Sequence, residues 1–492
     1  MTDGATSDPM AERSRASSPW VISAFLLFGA SLAMRFPGVV MYDSVAQYMQ
    51  AHTGLYSDWH PPIMARSWAL LNHLKNGTEP FFLAQMLLWW GGIGAISAAL
   101  GRRQKHGAAA LVLLVGIAPL WLGWATVMLK DAQMACCLAG AAGLVAHWRL
   151  DDRPMPRWAA VLAILLICYA TLVRGNAVFA TIPFALALFD WPQLPKLWHK
   201  AVASLVLIAA VLVFNPIFNN RILGAEHTGV ENSLPLYDMA GIAHKAHLAG
   251  LPGLDPQGWA MAQRKGCYTP FFWNPYGEDS QCGFVGDAVI FDHLDDRHMA
   301  TEWARLAVAH PLAYAGHRIA HLNSNLRFWV GPGEPDADPP VSSEPNPDGL
   351  GAPANPGGEG LIAAAHLMAA SPLGWPVVWL VISAGLLWAS MGLTDPQARL
   401  GRALAGSAFC MSASFALVSI ASDLRYHLWS MVAAALALVL LLDTRGLDRR
   451  RGAIAGGVLI GVIALGTIAR LGAAPPVYVP LPQVVAPPGV AT

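Results

Sequence analysis

The sequence predicts an all-α polytopic membrane protein, and two observations carry that reading. Of its 492 residues, 55% are hydrophobic and only 13% charged, whereas soluble domains carry about 25% charged residues. Apolar runs also recur at the length a membrane-crossing helix needs, about 20 residues. They occupy 20–39, 81–100, 108–129, 132–148, 158–173, 177–189, 201–218, 373–391, 403–420, 424–442 and 453–471. This gives about eleven spans, with adjacent short runs able to fuse or re-enter.

The first run follows Arg13 and Arg15 in the manner of a signal peptide, but Arg35-Phe36-Pro37 is a poor cleavage site, so an uncleaved span is expected. Orientation follows from the loops. Arg13/Arg15, Arg102/Arg103/Lys105, Arg149/Arg153/Arg157, Lys196/Lys200, Arg399/Arg402 and Arg445/Arg449/Arg450/Arg451 fall on one side if the spans alternate. That side is cytoplasmic by the positive-inside rule. The expected order is a cytoplasmic tail (1–18), a transmembrane core (19–218) with its first outer loop at 40–80, an exported segment (219–372), the last spans (373–471) and an outer tail (472–492).

Residues 219–371 carry 17 Asp and Glu against 8 Lys and Arg, as an exported segment is free to do. A helical pattern over 299–330 ends at Gly331-Pro332, and 331–360 is rich enough in Pro, Gly and Asp to read as a flexible linker or flap. Cys267 and Cys282 flank an aromatic loop there and are expected to form a disulfide. Cys136, Cys137, Cys168 and Cys410 fall in spans, where a small apolar filler is the default. No Cys-x-x-Cys pair, helical His-x-x-x-His, Walker loop or glycine-rich dinucleotide turn occurs, so structural zinc, nucleotide binding and nucleic-acid recognition are not signalled.

Within the first outer loop, the segment 41–65 holds Tyr42, Asp43, His52, Asp58 and His60 between apolar runs. Lys130-Asp131, Arg174-Gly175-Asn176 and Asp423-Leu424-Arg425-Tyr426-His427 fall at outer turns. Four separate pieces of sequence thus bring ionisable groups to one membrane face, and the midplane is left nearly free of charge. Ion-coupled transporters favour midplane charges on interrupted, symmetry-related helices. Both signs of charge at helix ends instead suit an amphiphile with a phosphate head.

In this combination and order, Tyr42-Asp43, Ser57-Asp58-Trp59-His60-Pro61-Pro62-Ile63, Lys130-Asp131, Leu172-Val173-Arg174-Gly175-Asn176 and Leu424-Arg425-Tyr426 resemble the GT-C superfamily of integral-membrane glycosyltransferases, which includes protein mannosyltransferases and the lipid A aminoarabinose transferase. The likeness covers 20–218 and, through Arg-Tyr, the last spans. It implies an inverting transferase in a bacterial inner membrane with a periplasmic active site, taking sugar from a polyprenyl-phosphate donor to a lipid or envelope-polysaccharide acceptor. Asp43 is then the general base, because an acceptor hydroxyl must lose a proton as the bond forms. Arg174, Arg425 and Lys130 are the cations for the departing phosphate, and Tyr42, Asp58, His60, Asp131, Asn176 and Tyr426 complete the substrate site. Ser44 stands where protein mannosyltransferases tend to have a second acidic residue, and the oligosaccharyltransferase Trp-rich Asp-Tyr-Gly motif is missing. The first departure weakens a protein-mannosyltransferase assignment and favours the bacterial relatives; the second argues against en bloc glycan transfer to Asn.

Plainer readings stand beside these. Asp43 fits a helix N-cap near Ser44, Asp58 a turn cap, Lys130 a snorkelling anchor paired with Asp131, and Arg425-Tyr426 an interfacial belt. His52 reads as a plain loop histidine and Arg35 as a snorkelling cation or the partner of an acidic loop residue. The resemblance leaves metal dependence open, and Asp43 with Asp58 or Asp131 offers oxygen ligands for a divalent cation. The rival functions are an envelope-glycan flippase, transporter or polymerase without this donor chemistry, and a non-catalytic scaffold.

Overall fold

The computed structural model describes residues 9–472, except 190, 195, 278–279 and 293–295. The expected outer tail from 473, residues 1–8 of the expected cytoplasmic tail and the centre of the 292–296 charge run lie outside the described residues. Among the described residues there are helices, turns and isolated bridges but no strand. The protein is a polytopic helical membrane protein.

Two units divide the chain: 1–227 with 336–413 and 424–463, and 228–335 with 414–423 and 464–492. The first opens with α1 (Pro9–Arg35), the two short helices α2 (Tyr42–Thr53) and α3 (Ile63–Asn72), then α4 (Glu79–Arg102). It continues through α5 (His106–Ile117), α6 (Pro119–Ala125), α7 (Lys130–Arg149), α8 (Arg157–Val173), α9 (Val178–Leu188) and α10 (Leu197–Ile217). In the second unit lie α11 (Ser233–Lys245), α12 (Pro256–Arg264), α13 (Gly283–Gly286), α14 (Asp296–Ala309) and α15 (Pro311–Asn325). The remaining helices are α16 (Pro356–Ala370), α17 (Pro376–Ala389), α18 (Pro396–Val418), α19 (Leu428–Leu442) and α20 (Arg449–Gly472).

Each of the eleven expected spans meets a helix. Among the described residues six helices are long and apolar enough to cross a membrane: Ser17–Arg35, Glu79–Arg102, Leu197–Ile222, Pro396–Val418, Leu424–Leu442 and Arg449–Gly472. The third expected span, 108–129, is a pair, α5 and α6, bent by 56° where Pro119 cannot continue the hydrogen-bond ladder. Arg157–Leu172, Gly175–Leu188 and Pro376–Ala389 are apolar but shorter. The fourth expected span is α7, whose first turn carries Lys130 and Asp131.

The centre of the first unit is α4 packed between α1 and α7. A Cβ on Gly92 would come within 2.2 Å of the Ala139 carbonyl oxygen, and one on Gly143 within 2.5 Å of the Gly92 Cα. In lipid, small residues of this kind let two helix backbones touch, and dispersion replaces the missing hydrophobic drive.

Residues 336–355 are not the free linker expected from their composition. Arg35, buried at the end of α1, donates to the Pro340 and Val341 carbonyls at 2.6 and 2.7 Å and to Thr126 Oγ1 at 3.2 Å. It neither snorkels to water nor pairs with an acid. The Trp124 indole donates to the Ala337 carbonyl, Leu424 N to the Asp336 carbonyl, Ala352 N to the Gly38 carbonyl and Glu344 N to the Val40 carbonyl. Composition misled here because proline and glycine remove local order without preventing nonlocal hydrogen bonds. The segment is a strap held against the end of α1, the chain that follows it and α6.

In the second unit, Cys267 and Cys282 form a disulfide with Cα atoms 6.0 Å apart. It sits in a core with Tyr237, Trp259, Tyr276 and Met299.

Candidate active site

Backbone pairing brings the site together. Val39 and Val127 form a parallel bridge, with Met128 N donating to the Val39 carbonyl at 2.8 Å and Val39 N to the Thr126 carbonyl at 3.2 Å. Four residues past Val39 is Asp43, and three past Val127 is Lys130. One short bridge therefore sets the start of the outer loop beside the start of α7.

Asp43 lies in the first turn of α2, where a carboxylate is favoured by the helix dipole, but it does not cap the helix. Met41 precedes the first turn, and its N–H donates to Ser44 Oγ at 3.1 Å. The Asp43 carboxylate instead faces two partners. Oδ2 lies 3.4 Å from Arg425 Nη2 and Oδ1 lies 3.8 Å from His60 Nε2. Its side chain keeps 21% exposure.

Lys130 Nζ lies 2.8 Å from His60 Nδ1. An ammonium only donates, so Nδ1 accepts and the ring proton sits on Nε2, on the Asp43 side. Burial, then Lys130, push the His60 imidazole down to about 3 against the opposing pull of Asp43, so the ring is neutral near pH 7. Burial alone would raise the Asp43 carboxyl, yet Arg425, His60, Lys130 and Arg174 together hold it below the usual carboxylate range. Asp43 is thus an ionised carboxylate in a cationic field.

Arg174, at the break between α8 and α9, pairs with buried Asp131. Asp131 is therefore the partner of Arg174 rather than of Lys130. Arg174 Nε also donates to Asn176 Oδ1 at 2.6 Å, and its guanidinium lies 4.1 Å from the Tyr426 ring centroid. Arg425 reaches the same ring at 5.4 Å. Tyr426 is therefore shared by both guanidiniums, one bound to Asp131 and the other facing Asp43.

Asp58 behaves differently. Its Oδ2 accepts from Asn220 Nδ2 at 2.9 Å and lies 3.2 Å from His227 Nδ1, and its N–H donates to the Glu226 carbonyl. These bonds tie the first loop to the end of α10, because Ser57 and Glu226 form a parallel bridge. Tyr42 is 69% exposed, so its ring stands in solvent; its N–H is the group that contributes to the cluster.

The acceptor of that N–H is Glu344 Oε2, at 2.5 Å. Sequence reasoning missed Glu344 because it lies in the Pro- and Gly-rich strap. Burial raises its carboxyl, and so does the charge of Asp43, while the Tyr42 N–H and Arg425 oppose the rise. Among the described residues no group of three or more His, Cys, Asp and Glu has metal-holding geometry. Asp43 and Asp131 engage Arg425 and Arg174 respectively.

No family model matches the sequence, and no curated protein does. Among solved structures it resembles the archaeal oligosaccharyltransferase AglB from Archaeoglobus fulgidus, solved with an inhibitory peptide and a dolichol-phosphate. That likeness has a TM-score of 0.34 and 14% identity over 92% of this chain, which spans 55% of that one.

Proposed function

We propose that the protein is a GT-C-type membrane glycosyltransferase that moves a sugar from a polyprenyl-phosphate donor to an acceptor hydroxyl on the periplasmic side of a bacterial inner membrane, the acceptor being a lipid or envelope glycan. The observation that carries the proposal is the Asp43 carboxylate, partly exposed at the outer ends of membrane helices, with Arg425 on one oxygen and the His60–Lys130 pair on the other. The arrangement matches the two demands of the reaction, which are a carboxylate to take the acceptor proton and cations to receive the departing phosphate.

In this reading Arg425 and Lys130 hold the phosphate oxygens, and Asp43 accepts the proton as the acceptor oxygen bonds to the anomeric carbon from the face opposite the phosphate. The carbon–phosphate oxygen bond breaks with inversion, and the electron pair leaves on the lipid phosphate. Arg174, its charge matched by Asp131, positions Tyr426 and, through that ring, Arg425. Glu344 sets the start of α2 through the Tyr42 N–H.

Cations that hold the Asp43 carboxyl low also make it a weak base in the empty site. A bound phosphate screens that field and restores basicity. Donor therefore binds before the acceptor is deprotonated, which protects the donor from wasteful attack.

The test is reconstitution of the purified protein in liposomes with polyprenyl-phosphate sugars labelled in the sugar, against an envelope extract. Label moving into a lipid or glycan, and lost in Asp43→Asn, supports the proposal. Transbilayer movement of the lipid without transfer of label would establish the flippase reading instead.

A further inference from the structure

In the second unit, α15 is amphipathic the wrong way round for a protein surface in water. His317, Arg318, His321, Ser324 and Asn325 are its buried residues. His317 and Arg318 grip Asp238 at 3.0 and 2.6 Å, and His321 Nδ1 meets the Pro270 carbonyl at 2.8 Å. The opposite face carries Leu312, 87% exposed, and Ile319, 67% exposed, with Val308 at 81% just before the helix. A helix that buries its polar residues and shows Leu and Ile has an apolar environment outside it.

Two observations say which environment. Arg470, near the end of the membrane-crossing α20, donates to the Arg327 and Phe328 carbonyls at 2.8 and 3.3 Å, directly after α15. Ile468 and Leu471 on that helix end are exposed, and so is Trp329, next to the carbonyls that Arg470 holds. At the other end of α15, Lys245 and His310 share a shallow open depression with Pro311, Leu312 and Ala313. Basic groups beside an apolar rim match a phosphate headgroup above acyl chains.

We infer that α15 is a membrane-surface helix whose Leu312–Ile319 face beds into the outer leaflet, with Lys245 and His310 at headgroup level. Burial of Leu and Ile side chains against lipid fixes the exported unit to the bilayer independently of the chemistry at Asp43. It also keeps a lipid-linked substrate and this unit on the same surface.

The test uses the full chain, with its disulfide intact, in nanodiscs of neutral and anionic phospholipid. Free cysteines are replaced, and an environment-sensitive fluorophore is placed at Leu312→Cys, at Ile319→Cys and, as control, at exposed Gln263→Cys on α12. Blue-shifted emission at 312 and 319, quenched by lipids with a nitroxide near the headgroup more than by deep nitroxides, and absent at 263, is the expected result. Water-like emission quenched by aqueous iodide at 312 and 319 overturns the inference. So does a blue shift that nitroxide lipids do not quench and that grows with protein copies per bilayer, because a second copy then covers the face. Each labelled variant must elute as the wild type does, which separates misfolding from exposure.

Discussion

Two clusters in this molecule use the same residue types and teach opposite lessons. Asp238 in the second unit is fully buried and held by Arg318 at 2.6 Å, His317 at 3.0 Å and the Trp303 indole at 3.0 Å. Asp43 in the first unit also faces an arginine and a histidine, but at 3.4 and 3.8 Å and with 21% exposure. The dry, tightly bonded carboxylate is held in place by the fold. The loosely held one has unused lone pairs, access to solvent and an excess of nearby cations, which is what a reacting group requires. Neither residue type nor charge count separates the two, but bond length and access do.

The comparison can be broken in several places. The largest effect is expected for Asp43→Asn, which should lower transfer about 10²–10⁴-fold, the usual worth of general acid–base catalysis, without lowering the melting temperature. Asp238→Ala should do the reverse to stability. Removing one member of a buried ion pair leaves Arg318 uncompensated and should cost about 3–5 kcal/mol, read as a lower melting temperature and faster amide exchange in α11 and α15. If Asp238→Ala is as stable as wild type, the distinction between the clusters fails. Arg425→Gln should raise KM for the donor about 10–100-fold, more than it lowers kcat, since a hydrogen bond to a charged group is worth about 1.5–3 kcal/mol. Equal loss in both parameters would move Arg425 from donor binding to the transition state.

The most gradual effect is on pH dependence. The unfolded chain protonates the His60 imidazole below 6.5, whereas the folded site keeps it neutral down to about 3. The unfolded state therefore binds more protons across that window, and stability falls as pH drops from 6.5 toward 3, by up to about 1.4 kcal/mol per pH unit. His321, pushed down to about 3 by burial, adds to the same slope in the second unit. His60→Gln should flatten the slope of melting temperature against pH between 6 and 4, and an unchanged slope would show that His60 is protonated in the fold.

How much was legible follows from how each feature is encoded. The spans were readable because lipid demands continuous apolar runs, but 108–129 read as one span and the bend at Pro119 was missed, because the run stays apolar across the proline that breaks the ladder. Asp43, His60, Lys130, Asp131, Arg174, Asn176, Arg425 and Tyr426 were readable as candidates because charge at the end of an apolar run is uncommon. What the runs do not encode is pairing across turns, so Asp131 was assigned to Lys130 and Asp58 to the cluster. Glu344 was hidden by the composition of its strap, whose order comes from nonlocal bonds to Arg35, Trp124 and Val40. His317, Arg318 and His321 were hidden because a polar stripe at helical spacing reads as a solvated face, whereas here it is the buried one.

Binding and transfer measured on the same preparation of Asp43→Asn put the account to its most direct test. Removing a negative charge beside Arg425 and Lys130 should leave polyprenyl-phosphate binding as tight as in the wild type or tighter, while transfer of labelled sugar disappears. Undiminished transfer, or binding and transfer lost together, would contradict a carboxylate base standing among phosphate-binding cations.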